Sequence, residues 1–544
     1  MGNFRLVYGN FVDNGLREKK GRSRITSSKI HLNGDHRNAV ERRRRIIAHY
    51  DAQLPFELLG MEIDRWLRYR FEYIDSPESC IDTIVWDMPS YDYQVDDPPV
   101  TRPGKAVVPI LGMRGWEEQG IDVLDQLVRE TRKRGLEVFW NHRINPIELT
   151  PEGKLAMDPD SANPLKTLHP DRVIKTFWWQ GMWNLESDAV KRQKTALLRE
   201  KVERYPFDGI QIDFARNTPC LPPGEQWEKR GHVTAFLRSV RLMLLEVTEE
   251  RGTPLLLAVR VPKHIEGCHA DGFDIEAWVD EELIDIIVPG IRSLHVDVRG
   301  FKELTAGKEI GVYPCFDDHH APDGYEAMPA EFQRGVFTNW LSQGADGIST
   351  FNWSCASPET HQKCNVKSLT GISSNRQMYE EAGDLQFMRS RNRYYSVERR
   401  GGFDWGEGFF GTNDDAVLPV DLPNADKPAR IPIFVFDELG ARGEDTGEIE
   451  LKIVLSNARE GDLFSAIVNG KELRGGTIDH AWKDPQVQAD GSGLARLTHP
   501  FPAGTLRKGK NGVEVVAVKR MPYFADSVRL EKVEIHVKAA STPP

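Results

Sequence analysis

No stretch of this sequence approaches the ~20 consecutive apolar residues that a membrane-spanning helix needs, which removes helical membrane proteins from consideration. Cysteine is sparse and unpaired in pattern. Its six residues, Cys80, Cys220, Cys268, Cys315, Cys355 and Cys364, form no C-x-x-C motif. Disulfide scaffolds and zinc ribbons are therefore disfavoured, and buried free thiols are expected. Positive charge is in deficit, with a formal net charge of −11. This argues against a nucleic-acid backbone as partner and against binding to an anionic membrane surface. No G-x-G-x-x-G turn follows the first apolar run, which disfavours a doubly wound dinucleotide-binding sheet. The opening residues Met1-Gly2-Asn3-Phe4-Arg5 lack a charged segment leading into a hydrophobic run. The expectation is a chain that stays inside the cell or one whose signal has been removed, and the compartment stays open between them.

What is present is a rhythm. The 544 residues, 40% apolar and 28% charged, are too many for one compact unit and predict two or three domains. Through about residue 390, amphipathic helices end near a glycine and short apolar runs follow, as expected of alternating helices and strands. Gly135, Gly252, Gly307 and Gly344 sit at these junctions, where glycine accepts the left-handed conformation that closes a helix. The spacing predicts eight strands: Arg5–Phe11, Ile81–Trp86, Glu137–Asn141, Gly209–Asp213, Leu255–Val259, Ile284–Val288, Glu309–Tyr313 and Gly347–Phe351. Between them, Val233, Phe236, Leu237, Val240 and Leu244 line one helical face, as do Val190, Leu197, Leu198 and Val202. Eight such units predict a (β/α)8 barrel over residues 1–395. Beyond it the helical period gives way to short alternating runs, at Ile431–Val435, Ile449–Leu455, Phe464–Val468, Gly512–Val518 and Val528–Val537. These, with the hairpin signal Asn469-Gly470, predict an antiparallel β-sandwich over residues 396–544. The stretch Asn413–Pro428 reads as a linker or surface excursion, and Asp96–Gly104 and Asn217–Gly224 as rim loops.

Barrel active sites lie at the carboxyl ends of the strands, so the residues on which each apolar run stops are the informative ones. The first run leads to Asn10 and Asp13, the second to Asp87 and Tyr91, and the third to Asn141, His142, Arg143 and Asn145. The fourth leads to Asp213 and Arg216, the fifth to Arg260, the seventh to Tyr313, Asp317, Asp318, His319 and His320, and the eighth to Asn352 and Trp353. In Gly209-Ile210-Gln211-Ile212-Asp213, pleat alternation sends the isoleucines to one face and Asp213 to the other. The isoleucines suit the helix layer, which aims Asp213 at the barrel axis, where Arg216 could hold it ionised. The bland alternative is a carboxylate that caps the following loop. A glycosidase needs one ionised carboxylate and one protonated one. For the second, Asp317 and Asp318 come first, with Asp87 and Glu225 as rivals. Adjacent residues of Asp317-Asp318-His319-His320 point opposite ways, which speaks against a shared metal ion. Phe177-Trp178-Trp179 with Trp183 reads equally as a sugar-stacking platform or as packing. Arg42 to Arg45 read as a solvated face of a helix.

With these residues in view, the chain resembles the glycosyl hydrolase-like family 10, bacterial TIM-barrel glycoside hydrolases. The resemblance rests on Gly135-Leu136-Glu137-Val138-Phe139-Trp140, on Asn141-His142-Arg143-Ile144-Asn145, and above all on Arg204-Tyr205-Pro206-Phe207-Asp208-Gly209-Ile210-Gln211-Ile212-Asp213-Phe214-Ala215-Arg216. Leu257-Ala258-Val259-Arg260-Val261-Pro262 and Asp285-Ile286-Ile287-Val288-Pro289-Gly290 add to it. It implies a barrel of about three quarters of the chain with Asp213 central, a trailing β-sandwich, and carbohydrate as ligand. Where many relatives carry two consecutive acids, Asp213 is followed by Phe214. The combined expectation is an O-glycoside hydrolase of a bacterial or algal oligo- or polysaccharide, without organic cofactor or obligatory metal. Asp213 would be nucleophile or base, and Asp317 or Asp318 the acid. Asp87, Asn141, His142, Arg143, Trp183, Arg216, Arg260, Tyr313, Asn352 and Trp353 would hold the sugar. Arg143 and Arg260 open the option of a sulfated or uronic sugar, although arginines that orient carboxylates would read the same. The rivals are a carbohydrate-binding protein without catalysis and a metal-dependent carbohydrate deacetylase. Neither nucleic acid nor membrane is expected as partner, and an oligomer is not indicated.

Overall fold

The computed structural model describes residues 32–51, 62–87, 114–145, 166, 168–176, 181–290, 293–317, 329–351, 370–399, 416–422, 427–439, 446–483, 494–521 and 527–539. The chain is an α/β protein with a parallel nine-stranded, barrel-like sheet and separate antiparallel sheets. Its strands in chain order begin with β1 (Ile46–Asp51), β2 (Ile81–Asp87) and β3 (Glu137–Arg143). A small hairpin follows, of β4 (Val173–Ile174) and β5 (Met182–Trp183). Then come β6 (Gly209–Asp213), β7 (Leu256–Val261), β8 (Ile286–Pro289), β9 (Gly311–Val312), β10 (Cys315–Asp317) and β11 (Ile348–Phe351). The parallel sheet is ordered β10-β11-β1-β2-β3-β6-β7-β8-β9. Its two end strands are one stretch of chain, interrupted at Tyr313-Pro314. The Tyr313 N–H donates to the Ile287 carbonyl (2.9 Å), while the Val312 and Pro314 carbonyls accept from Asp346 and Ser349 (3.0 and 2.8 Å). Residues 311–317 thus carry backbone bonds to both ends of the sheet.

Seven of the eight expected parallel strands are present, with ends shifted by a few residues. The eighth needs correction. Arg5–Phe11 lies outside the described residues, and the strand between β2 and β11 is β1. The helix before it spans Gly34–Glu41, so Arg42–Arg45 lie beyond its end instead of forming its solvated face. Arg44 is fully buried. Its guanidinium forks onto Glu137 through two 2.7 Å bonds and donates to the Val40, Arg42 and Ala39 carbonyls. Thr83 adds a 2.6 Å bond to the same carboxylate. Because Glu137 opens β3, this polar plug closes the amino-terminal end of the sheet.

The sheet separates two apolar layers. Inside lie Ile47, Val85, Phe139, Leu256, Val288, Cys315 and Phe351. Outside, the helices cover Ile84, Trp140, Ile210, Ile212, Val259 and Ile287. The helix Gly231–Arg251 buries Val233, Phe236, Leu237, Val240 and Leu244 on one face, as its period predicts. It ends on Gly252 at φ 69°, whose N–H caps the Thr248 carbonyl. Cys80, Cys220, Cys268 and Cys315 are buried free thiols, and among the described residues no helix is long and apolar enough to cross a membrane.

The antiparallel part comprises β12 (Arg393–Ser396), β13 (Val420–Asp421), β14 (Ala429–Val435), β15 (Thr446–Ser456), β16 (Leu463–Val468), β17 (Lys471–Glu472), β18 (Thr477–Asp479), β19 (Leu494–Phe501), β20 (Gly509–Lys519) and β21 (Arg529–Ala539). One sheet is ordered β12-β21-β15-β19-β18, with β13 also on β21, and the other β14-β20-β16-β17. Ile431, Ile433, Leu451, Ile453, Val515 and Ile535 from both sheets share one core. Asn469 and Gly470 carry the positive φ values (50° and 80°) of a type I′ hairpin between β16 and β17. The expected linker is corrected in its described part: Leu418 and Leu422 are buried in this core, and Val420–Asp421 pairs with β21. The strand β12 is a seam. Tyr394 packs into the first core, whereas Tyr395 and Val397 pack into the second.

The plug at the amino-terminal end generates a stability prediction. Arg44→Met strands the Glu137 carboxylate in the interior and should cost about 3–5 kcal/mol, whereas Arg44→Met with Glu137→Leu should recover most of that loss. Urea unfolding of the three proteins measures both. A single variant within about 1 kcal/mol of wild type would show the pair to be dispensable.

Candidate active site

At the opposite, carboxyl-terminal end, the register aligns polar residues on neighbouring strands. Asp87 pairs with Asn141 and Asn141 with Gln211, one level below the row Arg143, Asp213 and Arg260. All belong to the inward-facing set, because Ile210 and Ile212 are in the helix-side core. Gly209 leaves room for this packing. A Cβ there would lie 2.7 Å from the Phe139 ring and 2.6 Å from the Leu256 carbonyl oxygen.

Asp213 is the centre of the upper row. Arg260 Nε donates to Oδ1 (3.0 Å) and Arg260 Nη2 to Oδ2, a two-pronged pair with both side chains fully buried. The Arg216 backbone N–H donates to Oδ1 (3.0 Å), which is a loop-capping bond, so the cap and the ion pair coexist on one carboxylate. Arg143 Nε lies 4.0 Å from Oδ2. Burial alone would raise the Asp213 pKa. The charge and hydrogen bonds of Arg260, then the charge of Arg143, outweigh it and hold the carboxyl below its usual value. Three of its roughly four acceptor positions are filled.

Asp87 is the second anion. Its Oδ2 takes Arg143 Nη2 at 2.6 Å, Asn141 Nδ2 at 2.9 Å and His49 Nε2 at 3.1 Å. Burial again pushes the carboxyl up, and Arg143, then His49 and Arg260, drive it well below the carboxylate range. Gln211 Nε2 donates to Asn141 Oδ1 (2.8 Å), which fixes the amide of Asn141 toward Asp87. His49 joins the two anions. Arg260 Nη1 lies 3.2 Å from its Nδ1. An arginine only donates, so Nδ1 is the acceptor and the ring proton sits on Nε2, facing Asp87. Phe351 forms the apolar wall, with the Arg260 guanidinium 3.9 Å from the ring centroid and those of Arg143 and Arg216 at 5.6 and 5.9 Å.

The structure therefore brings Asp87, Asn141, Arg143, Asp213, Arg216 and Arg260 together. Asp317 is buried and lies on the same face of β10 as Cys315, whose thiol is 3.9 Å from Arg260 Nη1. Its register partner Phe351 is in turn paired with His49. Asp318, Asn352 and Trp353 lie outside the described residues, as do His319, His320 and Phe177-Trp178-Trp179.

Three expected sugar contacts are placed elsewhere. His142 faces the helix layer, buried with its ring 5.5 Å from that of Trp140, because β3 continues to Arg143 and alternation persists through it. Tyr313 sits near the plug, within reach of the Arg44 charge, because the chain continues past it to Asp317. Trp183 is fully buried on β5, its backbone N–H bonded to Asn145 Oδ1 (2.7 Å), with Lys166 Nζ and Lys194 Nζ 5.4 and 5.6 Å from its ring. Two members of the cluster, His49 and Gln211, were not selected from sequence. The signal for Gln211 was available, since it shares the face of Asp213.

A further carboxyl stands apart. Asp271 follows the short helix Ile265–Ala270, beyond β7. Burial pushes it up to about 7; burial likewise raises the Cys220 thiol, with the fields of Asp271 and Asp213 adding to it. Among the described residues no group of three or more His, Cys, Asp or Glu is gathered in a way that could hold a metal ion.

No family model matches the sequence, and no curated protein matches it. Among solved structures, the chain is similar to the cycloisomaltooligosaccharide glucanotransferase of a Paenibacillus species (11% identity, 90% of this chain and 57% of that one, TM-score 0.34). It is also similar to an α-amylase of Anoxybacillus (12% identity, 88% and 98%, TM-score 0.35). A third neighbour is the glycoside hydrolase domain of PgaB from Bordetella bronchiseptica (10% identity, 61% and 99%, TM-score 0.38). The chain spans just over half the length of the first of these. At such identities and scores the likeness carries no weight on chemistry.

The two depressed carboxyls set an acid limit. Groups whose folded pKa lies below the unfolded value of about 3.9 contribute their full stability above that value and lose it as pH falls toward the folded pKa. Urea midpoints taken from pH 6 to pH 3 should hold steady and then drop below about pH 4, and Asp87→Asn should flatten that drop. An unchanged slope in the variant would show that Asp87 is not an anion in the folded protein.

Proposed function

We propose that the chain is an O-glycoside hydrolase of a bacterial or algal oligo- or polysaccharide, built as a (β/α)8 barrel (residues 1–395) and a β-sandwich (396–544) that meet along β12. Counting β9 and β10 as one interrupted strand makes eight around the barrel. The observation that carries the reading is Asp213: an ionised carboxylate on the inward face at the carboxyl ends of parallel strands, oriented by a two-pronged arginine and left with one acceptor position. This is the state required of a nucleophile or of the base that activates water. Asp87 beside it supplies fixed negative charge where an oxocarbenium-like transition state needs it, and Arg143 keeps that carboxylate ionised. The membership suggested by the family 10 resemblance belongs to the same proposal.

The proton donor must be a carboxyl that is neutral at working pH. We assign it to Asp317, the last residue of β10, or to its sequence neighbour Asp318, with Asp271 as the alternative favoured by its raised pKa. A separation from Asp213 of about 5–5.5 Å would give retention, and about 6.5–9.5 Å inversion. Arg143 and Arg260 commit their guanidiniums to Asp87 and Asp213, which favours a neutral glycan over a sulfated or uronic one. Asn141, Arg216, Asn352 and Trp353 are the proposed sugar contacts.

The test is release of reducing sugar from a panel of neutral, amidated, uronic and sulfated glycans by wild type, Asp213→Asn, Asp317→Asn, Asp318→Asn and Asp271→Asn. Near-UV circular dichroism checks that each variant is folded. Asp213→Asn should lower kcat by at least about 10³-fold. Release unchanged in folded Asp213→Asn would overturn the assignment. Glycan binding without turnover in wild type would favour a binding protein, and stoichiometric metal with chelator-sensitive deacetylation would favour a deacetylase.

A pH profile of kcat/KM separates the proton donors. The true acid produces an alkaline limb that its Asn variant lacks, while variants at the other two positions keep it. Loss of the limb in none of the three variants would remove all of them from the mechanism.

A further inference from the structure

The loops after β7 and β8 form one side of the mouth that holds Arg260 and Asp213, and they are fastened from outside the barrel. The fastening residue is Glu398, two residues beyond β12 and 104 positions after Leu294 in the loop it holds. Along this seam strand, pleat alternation sends Tyr395 and Val397 into the sandwich core and Tyr394, Ser396 and Glu398 toward the barrel. Glu398 Oε1 accepts the backbone N–H groups of Leu294 (2.7 Å) and His295 (2.9 Å), in the loop that follows β8. Its Oε2 takes Lys263 Nζ at 2.9 Å, in the loop that follows β7, and both side chains are buried. The two loops also meet each other, since the Asp297 N–H donates to the Lys263 carbonyl (2.9 Å). The His295 ring approaches the Ser396 carbonyl (Nε2···O 3.2 Å), and Trp340 Nε1 donates to the Leu294 carbonyl (3.0 Å).

We infer that Glu398 is a positioning residue of the active site, a buried carboxylate by which the sandwich sets the shape of the mouth beside Arg260. The physical reason is specific. A buried carboxylate that bonds an ammonium on one loop and two backbone amides on another fixes their separation, because each contact is short and charge-assisted. No apolar packing would fix it so closely. Lys263 is three residues from Arg260, but Arg260 and Asp213 stand on strands whose ladder is independent of Glu398. Releasing the clamp therefore loosens the wall that a substrate meets and leaves the charge row intact. The sandwich then acts as part of the site and needs no glycan site of its own.

Hydrogen exchange on the full-length protein tests this without any substrate, and the catalytic readout rests on the glycosidase reading. In Glu398→Ala the Leu294 and His295 amides should exchange at least about tenfold faster than in wild type, with the Leu451 and Ile453 amides of β15 unchanged. Glu398→Gln keeps an acceptor oxygen for the two amides, so both should stay protected. If Glu398→Ala fails to fold, Glu398→Gln decides alone, through faster exchange at Asp297, whose partner Lys263 has lost its counter-charge. On a glycan found by the panel, KM should rise about fivefold in Glu398→Ala with kcat within about twofold, and Glu398→Gln should restore most of the loss. Equal exchange in all three proteins, or acceleration spread evenly over the sandwich, overturns the inference. So does a fall in kcat at constant KM. Failure of every glycan to react would defeat the glycosidase reading and leave the exchange result to stand or fall by itself.

Discussion

The interior of this barrel-like sheet contains charges that water does not reach, and everything at its mouth follows from neutralising them. A carboxylate moved into such a site carries a penalty of several kcal/mol unless a cation and hydrogen bonds meet it there. Asp213 is met by Arg260 and a backbone amide, Asp87 by Arg143, Asn141 and His49. His49 ties the two sets together by accepting from one arginine and donating to one aspartate. The result is a row of fixed charges whose side chains cannot rotate independently. Such rigidity is what electrostatic stabilisation of a transition state demands, because little reorganisation remains for the moment of reaction. At the other end of the same sheet, the Arg44–Glu137 pair applies the same rule to closure instead of chemistry.

Much of the fold could be read in the sequence because its punctuation is local. Glycines that stop helices and isoleucines that alternate along β6 are decided by a few neighbouring residues, and the helix Gly231–Arg251 shows its buried face in its period alone. The misses have equally local causes. The strand β1 follows four consecutive arginines and carries a histidine and an aspartate, so it reads as a polar helix end unless the burial of Arg44 is known. The strand β19 alternates correctly, but Arg496, His499 and Pro500 mask the pattern.

Within the site, errors came from strand ends. Ending β3 at Asn141 turned residues 141–143 into a rim loop, where every side chain can reach a ligand. The strand continues to Arg143, and period-two alternation sends His142 to the helices while keeping Asn141 and Arg143 inside. The same error places Tyr313 at the rim, because the expected strand ends on it. Pleat alternation did identify the face of Asp213, because the two isoleucines leave no doubt about which side is apolar. His49 was beyond reach without its strand, and Glu398 gives no sequence signal at all: its partners lie more than a hundred positions away.

The pairing of β1 with β11 joins Ile46 to Ile348. A ribosome must thus deliver some three hundred further residues before β1 can meet this neighbour, whereas Arg44 and its partner Glu137 lie within about a hundred positions of each other. The plug at the amino-terminal end can assemble early, from the first third of the chain, while the mouth cannot. The row at the mouth needs Arg260 from β7, its apolar wall needs Phe351, and the clamp on its loops needs Glu398. Order of synthesis therefore runs from a sealed floor to a charged mouth, and the mouth is complete only once the seam strand has been made.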